Sequence, residues 1–269
     1  MQSALQPNDR ATRETITAIH HWAPGLYSFK TTRPAEYRFS AGQYARLGLI
    51  NGAGNLVWRA YSIVSATTDT ELEYYLIDVP GGAFTSALRH LAPGEPILLD
   101  RQSHGVMTPE RFIDGEDLWM LATGTGLGPF ISILREPAVW QRFRHLLLVH
   151  SVRHAEEFAY GDELWELQRK YAVEPATLRI VQTSTRSSVI NPAPGTGAGL
   201  ARLNGRITTL LKNGELERHA GLVLQPEKSR VMLCGNPAMT DEMRELLKAR
   251  GMRPCRRELP GQYVAENYW

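Results

Sequence analysis

The segment Leu118–Pro129 narrows the possible folds more than any other stretch of this 269-residue chain. A short apolar run, Leu118–Ala122, feeds directly into Thr123-Gly-Thr-Gly-Leu-Gly-Pro129. An apolar run of that length, bounded by glycine, reads as a buried strand. Pro129 suits the first position of a helix, where its missing N–H would be unpaired anyway. Gly124, Gly126 and Gly128 permit positive φ and a close approach of backbone to a bound group. The start of the helix then offers free N–H groups and a partial positive charge to an anion. The spacing is G-x-G-x-G-P rather than the G-x-G-x-x-G of dinucleotide-binding folds, and a plain glycine turn can carry the same string. Its place between an apolar strand and a helix points to nucleotide phosphate.

The same alternation continues downstream. Leu146–His150, Leu178–Gln182 and Val231–Cys234 are further short apolar runs. Between them Gly161–Tyr171 and Pro237–Arg250 place apolar residues at helical spacing,. Strand and helix in alternation predict a parallel sheet with helices on both faces. Arg256–Leu259 is predicted as a final strand, followed by a Pro260-Gly261 turn. Ser187–Asn204, rich in Pro, Gly, Ala and Ser, reads as a mobile loop,. Its tip reads as a tolerated insertion, its two ends as a flap over a nucleotide.

Upstream the pattern is different. Thr12–His20, Leu26–Thr32, Gln43–Leu49, Val57–Val64, Glu71–Val79 and Pro96–Asp100 are short runs rich in β-branched and aromatic residues, punctuated by turn residues,. Only Phe84–Leu91 has a helical spacing. Many strands with one helix predict a small antiparallel β-barrel. The domain boundary falls within Gln102–Asp117, giving a barrel over residues 1–108 and an α/β domain over 109–269.

Composition limits the partners. Hydrophobic residues make up 43% and charged residues 22% of the chain, with a net charge of +2. That is a globular balance and too weakly basic to argue for nucleic acid or an anionic membrane. No apolar run approaches a membrane span, and the first residues lack a secretory leader. A cytoplasmic, monomeric protein is expected. The two cysteines, Cys234 and Cys255, cannot by themselves hold an iron–sulfur cluster. They are read as reduced thiols. His20-His21 lacks metal-ligand spacing, and no metal site is expected.

Several residues carry candidate chemistry. The dinucleotide fold commonly places an acidic residue after its second strand to bind a bare ribose. Here that strand is followed by Ser151, Val152, Arg153 and His154, which favour a 2′-phosphate. Arg186 and Arg206 are placed to close an anion cradle, since arginine matches phosphate through a planar fork of donors. A single surface arginine is more often merely solvated; three at strand ends around one candidate site are harder to dismiss. Cys234-Gly-Asn-Pro237 ends one strand and starts a helix. Cys234 fits either a small buried hydrophobe or a contact beside a nicotinamide ring. Arg59-Ala-Tyr-Ser62 offers a cation, an aromatic ring and a hydroxyl, though as a bare string it decides nothing. Gly81-Gly-Ala-Phe-Thr85 opens the lone barrel helix. No nucleophile–base triad is present, and hydride transfer between bound cofactors does not need one.

Taken in order, Arg59-Ala60-Tyr61-Ser62, Gly82–Thr85, Thr123–Pro129, Cys234–Pro237 and the aromatic ending Ala265-Glu-Asn-Tyr-Trp269 resemble the ferredoxin–NADP⁺ reductase family, in its bacterial, flavodoxin-using branch. The resemblance spans nearly the whole chain. It implies bound FAD, NADP(H) as the second cofactor, and ferredoxin or flavodoxin as an acidic electron-carrying partner. Arg59 would hold the FAD pyrophosphate, Tyr61 would lie against the flavin, and Ser62 would bond near its reactive nitrogen. Tyr75 and the backbone of Ala83, Phe84 and Thr85 would also contact FAD. Thr123 and Gly124 would sit near both cofactors. Arg153, His154, Arg186 and Arg206 would take the 2′-phosphate end of NADP. Cys234, Gly235, Asn236, Pro237 and Ala238 would line the nicotinamide side. Ala265 would face the flavin, and Tyr268 or Trp269 would cover the adenine end. The implied reaction passes a hydride from NADPH to FAD and single electrons onward. Where the family carries a basic residue between Gly82 and Thr85, this chain has Ala83-Phe84. Two other readings are a reductase component serving an oxygenase or free flavin, and a non-catalytic flavin or nucleotide sensor.

Overall fold

The computed structural model describes residues 5–172, 175–187, 200–256 and 259–267. Its first half contains β1 (Ala11–Ala23), β2 (Leu26–Thr32), β3 (Tyr44–Ile50), β4 (Leu56–Ser62), β5 (Glu71–Ile77), the short helix α1 (Ala83–Leu88) and β6 (Pro96–Asp100). These strands form one antiparallel sheet in the order β4-β3-β6-β1-β2-β5. Beyond the ends of the ladder, an Ile63–Tyr74 bridge and a 2.8 Å bond from the Val64 N–H to the Glu73 carbonyl join the two edges. Closing the edges removes unpaired backbone and makes the sheet a barrel. The long β1 makes this geometry possible. Ala11–Thr15 pairs with β6, and Ile16–Ala23 pairs with β2 across register shifts. Such bulges bend a strand, so one strand serves two directions of the wall. Phe29, Leu47, Ile63, Tyr74, Phe84 and Leu99 fill the interior.

The second half adds β7 (Asp117–Thr123), α2 (Gly128–Arg135), α3 (Pro137–Arg142), β8 (His145–Val152), α4 (Gly161–Lys170), β9 (Thr177–Ser184) and β10 (Leu200–Asn204). Then come α5 (Ile207–Lys212), α6 (Glu215–Ala220), β11 (Ser229–Gly235), α7 (Pro237–Ala249) and β12 (Tyr263–Asn267). All six strands are parallel, in the order β10-β9-β8-β7-β11-β12. Alternate residues of β7 explain why its run is apolar throughout. Leu118, Met120 and Ala122 pack with α2, α3 and α4, whereas Trp119 and Leu121 pack with α5, α6 and α7. A strand covered on both faces has no polar side to show.

The structure corrects three expectations. Arg256 and Leu259 do not lie in a strand; their backbones bond each other across a turn, and the final strand is β12. The last residues of the expected Ser187–Asn204 loop form β10, while residues 188–199 lie outside the described part. The helix expected at Pro129 begins at Gly128, after a 3-10 turn over Gly124–Leu127.

The two halves share one apolar cluster. Leu26, Ala41, Val64 and Tyr75 of the barrel pack with Met107, Phe112, Leu127, Phe130 and Ile131. Among the described residues no helix is long and apolar enough to cross a membrane.

Candidate cofactor site

Strand order locates the site. From β7 the chain adds β8, β9 and β10 on one side, then returns to place β11 on the other. In open α/β sheets a crevice opens at the carboxyl ends where the order reverses. Here those ends are Thr123 of β7 and Gly235 of β11. The two loops meet closely. The Asn236 N–H donates to Thr123 Oγ1 at 2.7 Å. A Cβ on Gly126 would stand 2.3 Å from the Cys234 carbonyl oxygen, and one on Gly235, which has φ +130, would stand 2.6 Å from the Thr123 carbonyl oxygen. Glycine is required at both positions because backbone occupies the space a side chain would need. Gly124, at φ +54, faces open space instead.

Asn236 caps α7, its side chain accepting the Ala238 N–H at 2.9 Å, and Pro237 occupies the first turn. Asn236 and Ala238 are exposed, whereas Cys234 is fully buried beneath them. Neither cysteine is in a disulfide.

Facing this edge is the end of β4. A Cβ on Gly128 would lie 3.4 Å from Val64, 3.8 Å from Ser62 Cβ and 4.0 Å from Tyr75 Cβ. The Gly-rich turn therefore sits directly on the barrel strands that carry the first-half motif. Ser62 and Tyr75 are buried, and their hydroxyl groups have no hydrogen-bond partner among the described residues. An orphaned buried hydroxyl costs free energy unless something pairs with it. Tyr61 is half-buried with its ring 5.3 Å from Phe84, and burial pushes its phenol pKa upward. Arg59 and Ala60 are exposed. Phe84 fills the barrel core and the Thr85 hydroxyl turns back to the Val79 carbonyl. What Ala83–Thr85 present outward is backbone N–H at the first turn of α1.

The three arginines leave the ends of neighbouring strands. The Arg186 N–H donates to the Arg153 carbonyl at 2.8 Å, and the Gly205 N–H to the Ser184 carbonyl at 2.9 Å. Arg153, Arg186 and Arg206 thus follow β8, β9 and β10, three adjacent strands, and all are exposed. The half-buried His154 caps a 3-10 turn over Ala155–Glu157.

The carboxyl-terminal strand departs from expectation. Ala265 pairs in register with Leu233 of β11 and packs toward the α7 side of the sheet. Its neighbour Val264 faces the cluster shared with the barrel. Glu266 also reaches that side, accepting the Val106 N–H at 2.6 Å. Alternation along β12 accounts for this. Ala265 is therefore not brought to the Ser62 side. Tyr268 and Trp269 lie outside the described residues.

His150, near the carboxyl end of β8, has no feature in the sequence that sets it apart from its apolar strand. Its Nε2 lies 3.1 Å from the Gly124 carbonyl oxygen, its Nδ1 is buried without a partner among the described residues, and the ring is fully buried. Desolvation lowers its pKa to about 4. The unfolded imidazole titrates near 6.5. Between these values unfolding takes up a proton, so stability should fall as pH drops from about 6.5 to about 4, by about 3 kcal/mol at most. Above about pH 6.5 the contribution is fully present. Thermal unfolding of the parent and of His150→Asn from pH 7 to pH 4 checks this. The parent should lose stability more steeply; parallel curves would mean that His150 is not held neutral by the fold.

A crevice of about 480 Å³ lies at the other end of α2, lined by Lys30, Asp69, Glu73, Arg135 and Lys170 among others. Its walls carry charges of both signs, and it is distinct from the edge formed by Thr123 and Gly235.

Comparison with known proteins agrees with this geometry. Residues 19–101 match the oxidoreductase FAD-binding domain, and residues 120–245 match the oxidoreductase NAD-binding domain. The chain is 36% identical to a ferredoxin–NADP reductase of Azotobacter vinelandii over 94% of its length and 95% of the relative's. The chain belongs to the ferredoxin–NADP reductase family. A flavodoxin/ferredoxin–NADP reductase of Escherichia coli is 38% identical over 94% of this chain and 97% of its own length. The crystal structure of a ferredoxin NADP⁺ reductase from Neisseria gonorrhoeae with bound FAD and NADP superposes with a TM-score of 0.87. It is 38% identical and covers 97% of this chain and all of its own. Like other members of the family, this protein is an oxidoreductase that uses FAD and NADP(H).

Proposed function

We propose that this reductase exchanges electrons between NADP(H) and ferredoxin or flavodoxin. The observation that carries the proposal is the seating of the Gly-rich turn, through Gly128, on Ser62 and Tyr75. A nicotinamide held at the Thr123–Cys234 edge is then brought to the barrel motif. FAD, when bound, supplies the chemistry of accepting a hydride and passing on single electrons.

The chain's own residues bind, orient and exclude water. Arg59, the Ala60 backbone and the N–H groups of Ala83, Phe84 and Thr85 hold the FAD pyrophosphate. Tyr61 lies along the flavin ring. Ser62 and Tyr75 contribute hydroxyl groups whose orphaned burial suits a polar heterocycle. Thr123, Gly124, Cys234, Gly235, Asn236, Pro237 and Ala238 form the nicotinamide side. Arg153, His154, Arg186 and Arg206 take the 2′-phosphate. Ala265 is left out of the flavin contact because its side chain belongs to the α7 face. Division into an FAD domain over residues 1–108 and an NADP domain over 109–269 is supported by the gap between β6 and β7. The working form we propose is a cytoplasmic monomer.

Steady-state turnover tests the choice of carrier. With NADPH as donor, reduction of ferredoxin or flavodoxin should be fast and should slow as salt is raised, because charge steers the encounter. Turnover with free flavin but with neither carrier would instead favour a flavin- or oxygenase-serving reductase.

A further inference from the structure

Both ends of α2 are fastened to β5 and to the barrel segment at and just after the end of β4. At its start, Gly128 packs on Val64, Ser62 and Tyr75. In its middle the Ser132 hydroxyl donates to the Ser65 carbonyl at 2.7 Å. At its end, Arg135 reaches across with every arm of its guanidinium. Nη1 donates to the Val64 carbonyl at 2.9 Å, Nη2 to Glu73 at 3.0 Å and to Glu163 Oε2 at 2.9 Å, and Nε to Glu163 Oε1 at 2.6 Å. Glu73 belongs to β5 and is 6% exposed. Its second oxygen accepts the Tyr160 hydroxyl at 2.8 Å. Tyr160 stands at φ +59, the one non-glycine residue with positive φ among those described. Its ring packs 4.5 Å from Trp22 and 5.3 Å from Tyr75. A tyrosine held in that backbone region is disfavoured unless its surroundings over-determine it.

Glu73 is thus gripped by two groups from the α/β half, and one of them is bidentate to a second carboxylate on α4. A planar fork fixes direction as well as distance. Interaction with water would hold neither half against the other. Arg135 and Glu163 lie at the far end of α2 from the Gly-rich turn; within the cluster it is Tyr160 that packs on a residue assigned to FAD, Tyr75.

We propose that the Arg135–Glu73–Tyr160–Glu163 cluster is a register clamp, and that Arg135 is a positioning residue which sets the distance between the nicotinamide edge and Ser62. This rests on the cofactor placement proposed above. The clamp fixes α2 on β5 and on Val64 just past β4, and the Gly-rich turn leads directly into the amino end of α2. Any slip of α2 along the barrel moves Thr123 and Cys234 relative to Ser62 by the same amount. Loss of the clamp therefore changes alignment at the reacting atoms rather than affinity for either cofactor.

Arg135→Lys keeps the charge and removes the fork. Glu163→Gln keeps the shape of a carboxylate that is 29% exposed in its side chain and leaves the Arg135–Glu73 pair intact. The second variant carries the test if the first does not fold. Four readouts are taken on the FAD-loaded protein: kcat, KM for NADPH, the nicotinamide–flavin charge-transfer absorbance on mixing, and reoxidation of photoreduced enzyme by ferricyanide. Misalignment should lower kcat roughly ten- to a hundredfold and weaken the charge-transfer absorbance. KM and ferricyanide reoxidation should stay near the parent's, because neither depends on register. A lower melting temperature with kcat and charge-transfer absorbance unchanged would overturn the proposal and leave a stabilising ion cluster only. A raised KM with unchanged kcat would overturn it too. Failure of the cofactor placement itself would be visible separately, as a parent protein with no charge-transfer absorbance to lose.

Discussion

Gly126→Ala should abolish most NADPH-dependent turnover while leaving FAD bound. Gly126 needs no unusual φ; the requirement is spatial. Its added Cβ would meet the Cys234 carbonyl oxygen at 2.3 Å, the carbonyl carbon at 2.6 Å and the Gly235 nitrogen at 2.9 Å. All three are backbone atoms near the end of a central strand, so no side chain can swing aside. The ends of β7 and β11 must part, and the bond from the Asn236 N–H to Thr123 Oγ1 parts with them. Overpacking of this kind costs about 1–3 kcal/mol. A displacement near 1 Å at a reacting edge costs roughly a hundredfold in rate. The FAD contacts assigned to Arg59 and Ala83–Thr85 lie on the barrel and do not move. The measurement is kcat/KM for NADPH alongside flavin content and melting temperature. Gly124→Asn is the control for stability, since that position faces open space and asparagine tolerates positive φ. Full turnover in Gly126→Ala would mean that the closeness of these two loops does not govern the site.

Arg186→Ala should separate the two nicotinamide cofactors. A hydrogen bond to a charged group is worth about 1.5–3 kcal/mol, which is roughly ten- to a hundredfold in affinity. The loss should fall on NADPH and spare NADH, because only NADPH carries the 2′-phosphate. Adding Arg153→Ala should deepen it, since the Arg186 N–H bonds the Arg153 carbonyl and the two side chains leave adjacent strand ends. Binding titrations of both cofactors to parent, single and double variants decide it. Equal weakening of NADPH and NADH would place Arg186 away from the phosphate.

Much of this architecture was legible because hydrophobic period reports burial. Leu26–Thr32 and Pro96–Asp100 read from the sequence coincide with β2 and β6. The apolar runs of the second half mark strands covered on both faces. β10 and β12 escaped because they are edge strands with mixed residues. Ala265, Glu266 and Asn267 have no preference for extended structure; the strand is imposed by pairing with β11,. Short α3, α5 and α6 offer too few turns for a clear period.

The site motifs were legible for a different reason. Glycine and proline at strand-to-helix junctions state backbone requirements that few folds share. The register clamp was not legible. Arg135 meets Glu73 across 62 positions and Tyr160 meets it across 87, and no local pattern announces a polar contact of that range. His150 was hidden inside an apolar strand, where its ring reads as one more buried side chain. Ala265 was misplaced because a tail was expected where the structure has a strand, and alternation then decides which side chain faces the barrel.

On the proposed assignment, NADPH bound at the Thr123–Gly235 edge delivers reducing equivalents to FAD held by the barrel. Anaerobic titration of the purified protein with NADPH, followed through the visible flavin absorbance, tests it most directly. The flavin band should bleach as NADPH is added, pass through charge-transfer absorbance, and return when ferredoxin or flavodoxin is supplied. A protein that binds FAD but whose flavin band is unmoved by excess NADPH would mean that the two sites are not coupled as proposed.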